Sequence, residues 1–423
     1  MENTLAGLPF LQFATLRSAS AQVMDTRNLI YLYEDGGGDH HNSFFPTSGP
    51  LFNTLRSVRP TLFPNSFLQN AIPVAGQNGM SNPLAFHPNW APALNAWGTS
   101  KVFVATSTGL VGSAASQSHN TAHVRSSSTN PGASQPRGFL AFISDLANFG
   151  AFDYWIAGNY ADRIDFRTNA TPPMTVPRLS TFDIQRRNFG SLTANGTTVS
   201  GARDSDHAQM AVNSLLNSTA ITTQAQRLFT VGAGQLAPVI DTVRNLSTLP
   251  TVGVYDNTSF GRSFSLIARV IAYLRANPGL GGPLNIFYVS IGGFDTHSGQ
   301  TDSQANLIGA RARQMAALKA DLDAVNAASN TLIVTSSEFG RTFRQNNSAG
   351  TDHGEGGGMM VMGGSVIGGS IGNDVDTNAA LNRNMTPATV DYRQVMSEVV
   401  RWLGLSPSQV FPNFNAARIP FLP

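Results

Sequence analysis

The chain contains no cysteine, which excludes disulfides, thiolate nucleophiles and sulfur-ligated zinc or iron clusters. Any bound metal must therefore be held by oxygen and imidazole. Charge is scarce as well: Asp, Glu, Lys and Arg make up 12% of the 423 residues, with a formal net charge of +2, against a usual charged share of about 25%. Of the 27 basic residues only Lys101 and Lys319 are lysines, and the arginines form no dense cluster. Such a chain lacks the basic track that follows a phosphate backbone, so nucleic acid is not an expected partner. No segment approaches the roughly 20 apolar residues of a membrane span, and neither an internal repeat nor a coiled coil is found.

What is present is ample core material, 41% apolar, enough for a large α/β domain. Leu5–Leu16 is apolar and of signal-peptide length, and Ser18-Ala19-Ser20-Ala21-Gln22 resembles a small-residue cleavage site, although Glu2 stands where a signal would carry basic residues. Residues 1–27 are read as the remnant of an export signal or as a first helix, followed by one domain over 28–423. Strands are expected at Asn28–Glu34, Lys101–Thr106, Asn285–Val289, Thr331–Thr335 and Met359–Met362. The Asn285–Val289 run is apolar and β-branched or aromatic without alternation, as in a strand buried on both faces of a parallel sheet.

Helical patterns cover Phe139–Asn148, Asp206–Leu216, Thr222–Phe229, Ser263–Arg275, Ser303–Asn326 and Tyr392–Leu403. In Ser303–Asn326, Met315, Leu318, Leu322 and Val325 follow spacings of three and four that lay an apolar stripe on the sheet. The strands flanking it are expected to be a parallel pair joined by a right-handed crossover. A stretch at about 157–201, rich in Asn, Thr, Pro and Arg, reads as an irregular insertion or cap.

Chemistry gathers at the strand ends. Asn28–Glu34 runs into Asp35-Gly-Gly-Gly-Asp39-His40-His41, and Ser290–His297 reads SIGGFDTH, with Asp295 and His297 just past two glycines. Glu338 follows Thr331–Thr335, and Asp352-His353 follow a polar loop. One Asp-x-His pair is more often a capped turn than a ligand. Several such groups following glycine-punctuated strands of one sheet should meet at its C-terminal edge, where open α/β sheets bind ligands, and a divalent-cation site becomes the better reading. Carboxylate and imidazole without sulfur suit zinc first, then manganese, magnesium or calcium.

Ser118-His119 suggests a serine nucleophile with an adjacent base, set against a plain Ser/Thr-rich surface loop. Side chains of neighbours diverge, so a metal at the strand edge is the better activator of Ser118. Arg341, three residues after Glu338, either neutralises that carboxylate, the preferred reading, or grips an anionic substrate. His87, His123 and His207 read as ordinary polar residues.

SIGGFDTH with Gln300, TSSEFGRT, SAGTDHG with the downstream VMGGSVIGG, and GGGDHHN resemble the bacterial "domain of unknown function 1501" proteins. Order and spacing agree from about Asn28 to Phe414. The resemblance implies export to the periplasm or cell surface and a three-layer α/β/α fold with a mostly parallel central sheet, like that of the alkaline phosphatase and sulfatase superfamily. It further implies Asp295, His297 and His353 at one metal position, and Glu338 with Asp35 or Asp39 at another. The superfamily commonly has Asp-His where this chain has Glu338-Phe339, so at the second position one imidazole is replaced by a phenyl ring that cannot bind metal.

The expected function is metal-dependent hydrolysis of a small-molecule or polysaccharide phosphate or sulfate ester, with Ser118, His119 and Arg341 as catalytic candidates. The alternatives are a catalytically degenerate module that binds polysaccharide or protein, and a site for a structural calcium.

Overall fold

The computed structural model describes residues 26–77, 81–111, 116–133, 138–147, 154–157, 191–194, 197–200, 246, 249–277, 283–415 and 417–423. Its centre is an eight-stranded sheet. In chain order the strands are β1 (Arg27–Glu34), β2 (Val102–Gly109), β3 (Tyr154–Ala157), β4 (Leu284–Ile291), β5 (Thr331–Ser337), β6 (Gly357–Gly363), β7 (Gly369–Ile371) and β8 (Val390–Asp391). They lie in the order β7-β2-β6-β5-β1-β4-β3, with β8 paired to β2. All pairings are parallel except those of β6, which runs against both β5 and β2.

The helices used below are α1 (His40–Ser43), α2 (Ala91–Trp97), α3 (His119–Ser126), α4 (Phe139–Ala147), α5 (Ser259–Ala276), α6 (Gln300–Ala324) and α7 (Tyr392–Trp402). Alternation along β1 sorts them into two layers. Ile30 and Leu32 face a core with Trp90, Leu94, Phe264, Ile267, Ile308, Met315 and Leu318, so α2, α5 and α6 cover that side. Leu29, Tyr31 and Tyr33 face Phe139, Ile143, Val395, Met396 and Val399, so α4 and α7 cover the other. Each buried large apolar side chain contributes roughly 1.5–3 kcal/mol, and a sheet buried on both faces explains strands that lack a polar side. The architecture is three-layer α/β/α with a mostly parallel sheet.

Two expectations are corrected. Asn285–Val289 and Thr331–Thr335 are parallel but not adjacent, because β1 lies between them and pairs with each. α6 buries Ile308, Met315, Leu318 and Leu322, yet the same face also buries Gln300, Gln304, Arg311, Gln314 and Asp321. Its stripe is therefore mixed: Gln300 and Gln304 reach toward the site below, Arg311 pairs with Glu34, and Gln314 and Asp321 hold the 252–256 segment. The helices expected at Asp206–Leu216 and Thr222–Phe229, and nearly all of residues 1–27, lie outside the described residues. Of the stretch 157–201, the structure describes Ala157 and a hairpin pairing Ser191–Ala194 with Thr197–Ser200.

Register decides where chemistry collects. Glu34 is level with Ile291 and Ser337, so β1, β4 and β5 end together. The antiparallel β6 starts at that edge, with Gly357 beside Thr108 near the end of β2. The segments after β1, β2, β4 and β5, and the segment before β6, thus share one margin.

Candidate metal centre

Asp295, His297 and His353 meet at this margin, joined by His119 from the first residue of α3. His353 Nε2 lies 3.0 Å and His297 Nε2 3.1 Å from Asp295 Oδ1, and the two Nε2 atoms are 3.2 Å apart. His119 Nε2 is 3.6 Å from Asp295 Oδ2. Ligand atoms of His119, Asp295 and His353 all lie within 4.8 Å of one another. The pocket opens to solvent, Asp295 and His297 being 45% and 47% exposed at the side chain.

The backs of the rings are as ordered as their fronts. His119 Nδ1 faces Glu338 Oε1 at 2.8 Å, His297 Nδ1 faces Asp352 Oδ1 at 2.9 Å, and His353 Nδ1 faces the Gln117 carbonyl at 2.8 Å. All three partners are acceptors, so in the neutral rings Nδ1 carries the proton and Nε2 presents its lone pair inward. Metal-ligating histidines are held in this way. Lone pairs of His297 and His353 facing each other across 3.2 Å repel unless a positive charge lies between them. Ligands at zinc bond lengths stand about 3.3 Å apart in a tetrahedron; His119, Asp295 and His353 form one mutually close set that suits such a cation, and His297 adjoins it through Asp295 and His353.

Close backbone approach builds the site. Gly36, at φ +120°, would place a Cβ 2.3 Å from the Asp295 nitrogen, and a Cβ on Gly350 would lie 2.2 Å from the His297 carbonyl carbon. Phe339 is buried and floors the pocket, its ring centroid 5.0 Å from that of His119 and 4.6 Å from that of His353. It packs against the imidazoles.

Arg341 does not pair with Glu338. Fully buried, it donates to the carbonyls of Gly36, Gly37, Phe294 and Thr351 and, at 2.6 Å, to Asp295 Oδ1. With its guanidinium buried and engaged this way, the substrate-gripping role does not fit. Partial burial pushes the Asp295 pKa up, but the hydrogen bond from Arg341, that from His353 when its ring is doubly protonated, and the nearby positive charge outweigh this and hold it below the usual carboxylate value. The Asp352 carboxyl is likewise held low, chiefly by its hydrogen bond to His297.

Glu338 is also buried, and its carboxylate accepts from Gly36 N–H at 2.8 Å, from His119 and, at 3.0 Å, from the Ser337 hydroxyl. It stands behind His119 instead of lining the open pocket. Asp39 is separate altogether: its carboxylate meets Arg59 at 2.6 Å, with side-chain exposures of 0% and 1%, caps α1 through His41 N–H, and accepts from Gln300. A carboxylate so neutralised in a dry interior makes a poor metal ligand. Asp35 is half-buried beside the centre, its backbone bonded to Ile291 and Phe294.

Ser118 is exposed at the N-cap of α3 and makes no capping bond. Its neighbours Gln117 and His119 are both tied to the centre, so its backbone is fixed close by. Sequence reasoning had weighed His119 only as a base for Ser118. Its place in the cluster carries no local signal, because the Glu338 that orients it lies 219 residues away. Asp352 was visible as a strand-end acid, but its role behind His297 was not.

No curated protein sequence matches the chain. Solved structures similar to it include an alkaline phosphatase from the Antarctic bacterium TAB5, at 10% identity over 90% of this chain and 98% of that one, with a TM-score of 0.31. A Bacteroides thetaiotaomicron sulfatase from a locus for metabolism of multiple glycosaminoglycans matches at 11% identity over 92% of this chain and 74% of that one, with a TM-score of 0.34. A mutant of the TAB5 enzyme with Mg bound gives 10% identity, coverage of 90% and 99%, and a TM-score of 0.30. By sequence, residues 280–421, which carry Asp295, His297, Glu338, Arg341 and His353, match the family described as "Protein of unknown function (DUF1501)".

Proposed function

We propose that the protein is a hydrolase of phosphate or sulfate esters that depends on a divalent cation held by His119, Asp295, His297 and His353. The observation that carries this reading is three imidazoles fixed from behind at Nδ1 while their Nε2 atoms converge on one carboxylate. Three nitrogens with one oxygen suit zinc or manganese better than magnesium or calcium. When bound, the ion would neutralise ester oxygens and lower the pKa of a hydroxyl or water beside it.

The chain's own groups then have distinct tasks. Glu338 and Asp352 hold His119 and His297 in one tautomer, and Arg341 keeps Asp295 ionised and aimed. Ser118 Oγ, on the exposed N-cap, is the candidate nucleophile, with the N–H groups at the start of α3 positioned to receive an oxyanion. Small-molecule or polysaccharide esters at the bacterial cell envelope are the proposed substrates. Among the described residues no helix is long and apolar enough to cross a membrane.

One observation favours a second reading. With Asp39 sealed and Glu338 turned to His119, the second metal position of the superfamily is not assembled from the expected residues. A catalytically degenerate module that binds polysaccharide or protein through a single ion fits that arrangement. Elemental analysis of protein purified without chelator, with a screen of phosphate and sulfate mono- and diesters on the wild type and His353→Ala, tests both. The hydrolase reading expects about one ion per chain and turnover that the substitution abolishes. Bound ion without turnover selects the binding module, and sub-stoichiometric metal with unchanged stability in chelator removes the metal centre.

A further inference from the structure

Beneath the open centre lies Gln300, the first residue of α6, fully buried and with each hydrogen-bonding group engaged. Its Nε2 donates to Asp39 Oδ2 at 2.5 Å and to Asn42 Oδ1 at 2.8 Å. Its Oε1 accepts from the hydroxyls of Thr296 at 3.0 Å and Thr351 at 2.5 Å. The orientation of the amide follows from its surroundings. The Asp39 carboxylate can only accept, and Asn42 has its own amide nitrogen committed to the Leu62 carbonyl, so nitrogen must face them. Two donors and two acceptor sites are all that a glutamine side chain has.

Thr296 and Thr351 are the neighbours of ligands. Thr296 sits between Asp295 and His297, and Thr351 comes just before Asp352 and His353. Their backbones also touch: Thr351 N–H donates to the Thr296 carbonyl at 3.1 Å, and Gln300 N–H to the Ala349 carbonyl at 2.9 Å. Gln304, one turn along α6, donates to Thr296 Oγ1 at 3.2 Å, and that hydroxyl's proton has Gln300 Oε1 at 3.0 Å as its nearer acceptor and the Phe294 carbonyl at 3.3 Å as the other. On the other side Asp39 is anchored by Arg59, which also holds the carbonyls of Thr342 and Phe343.

We propose that Gln300 is a positioning residue that sets the separation of the two ligand-bearing loops, 294–297 and 350–353, and with it the affinity of the centre for its cation. The proposal rests on the metal reading above. Ligand atoms spaced 3.0–3.2 Å apart tolerate little displacement, and the Asp39–Arg59 pair gives Gln300 a fixed buried point to hang from. Loss of a partner bonded directly to a ligand weakens metal binding about 10–100-fold, and the same scale is taken for Gln300, which acts through the threonines beside the ligands.

The test uses the full chain, wild type, Gln300→Leu and Gln300→Glu, with Leu318→Ala as a control that opens the α6 core away from the centre. Co²⁺ affinity is measured by titration, and hydrogen exchange at the Gln300 and Thr351 amides is followed in chelator. The expected result is Co²⁺ affinity weakened about 10–100-fold in both Gln300 variants, with faster metal-free exchange at these amides, while Leu318→Ala loses stability but keeps wild-type affinity. Unchanged affinity in folded Gln300 variants overturns the proposal, as does an equal loss in Leu318→Ala. Wild-type exchange at both amides in the Gln300 variants overturns the coupling of the loops even if affinity falls. Failure of the unmodified protein to bind Co²⁺ overturns the metal reading and this proposal with it, a result distinct from a variant that binds normally.

Discussion

The edge of the sheet carries two gatherings of acid and imidazole that look alike as sequence and behave as opposites. Asp39, His40 and His41 are almost completely buried, with Asp39 on Arg59 and the two rings tilted by 40° with centroids 3.9 Å apart. Burial drives the His40 pKa from 6.5 down to about 4 and that of His41 well below its ordinary value. Asp295, His297, His353 and His119 stand open to solvent with their Nε2 atoms inward. Asp295 also meets a guanidinium, but Arg341 is shared among four carbonyls, and Asp295 Oδ2 still faces the pocket. Both sets have partners; what separates them is water access and whether lone pairs are left convergent.

The contrast can be broken most directly at Arg59. Arg59→Ala should strand the Asp39 carboxylate in the interior and cost about 3–5 kcal/mol, measured by urea unfolding; a loss under about 1 kcal/mol would mean that the closed set is not dry.

Acid should attack the closed set next. The folded-state pKa of His40 lies below its unfolded value, so the unfolded chain binds more protons between pH 6.5 and about 4. Stability is therefore intact above pH 6.5 and falls as the pH drops through that window, by about 1.4 kcal/mol per unit for each such histidine. His41 adds in the same direction, as does His87, whose pKa burial also lowers to about 4. In His40→Phe the slope of melting temperature against pH should flatten; an unchanged slope would remove His40 from the account.

The open set should respond to metal instead. Excess Zn²⁺ or Mn²⁺ at 100 times its Kd should stabilise the wild type by about 2.7 kcal/mol, a gain that His353→Ala loses while melting like the wild type in chelator. Removing a support in place of a ligand gives the smallest effect. Asp352→Ala frees His297 to rotate and should weaken metal about tenfold, near 1.4 kcal/mol, without shifting chelator-treated stability.

Much of the fold was legible because its rules are local. An unalternated apolar run such as Asn285–Val289 has to be covered on both sides, and glycines after a strand announce a sharp turn. That Asp295, His297 and His353 meet at one edge was readable for the same reason, each lying directly past a strand or beside a glycine turn. Position β1 between β4 and β5 was not, since the spacing of two strands fixes their direction but not what is inserted between them. Polar residues on the buried face of α6 were invisible too, because Gln300 and Arg311 make sense only against Asp39, at the cap of α1, and Glu34, at the end of β1.

By itself the sequence determined that no thiolate is on offer to any metal, that strands end in acids and imidazoles, and that those ends lie on one edge. Tertiary structure alone decided which acids were neutralised and which left open. Asp39 meets Arg59 twenty residues on and Gln300 261 residues on, and Glu338 reaches across 219 residues to His119. Solvation and through-space charge set the ionic state of a side chain, and neither is a property of its neighbours along the chain.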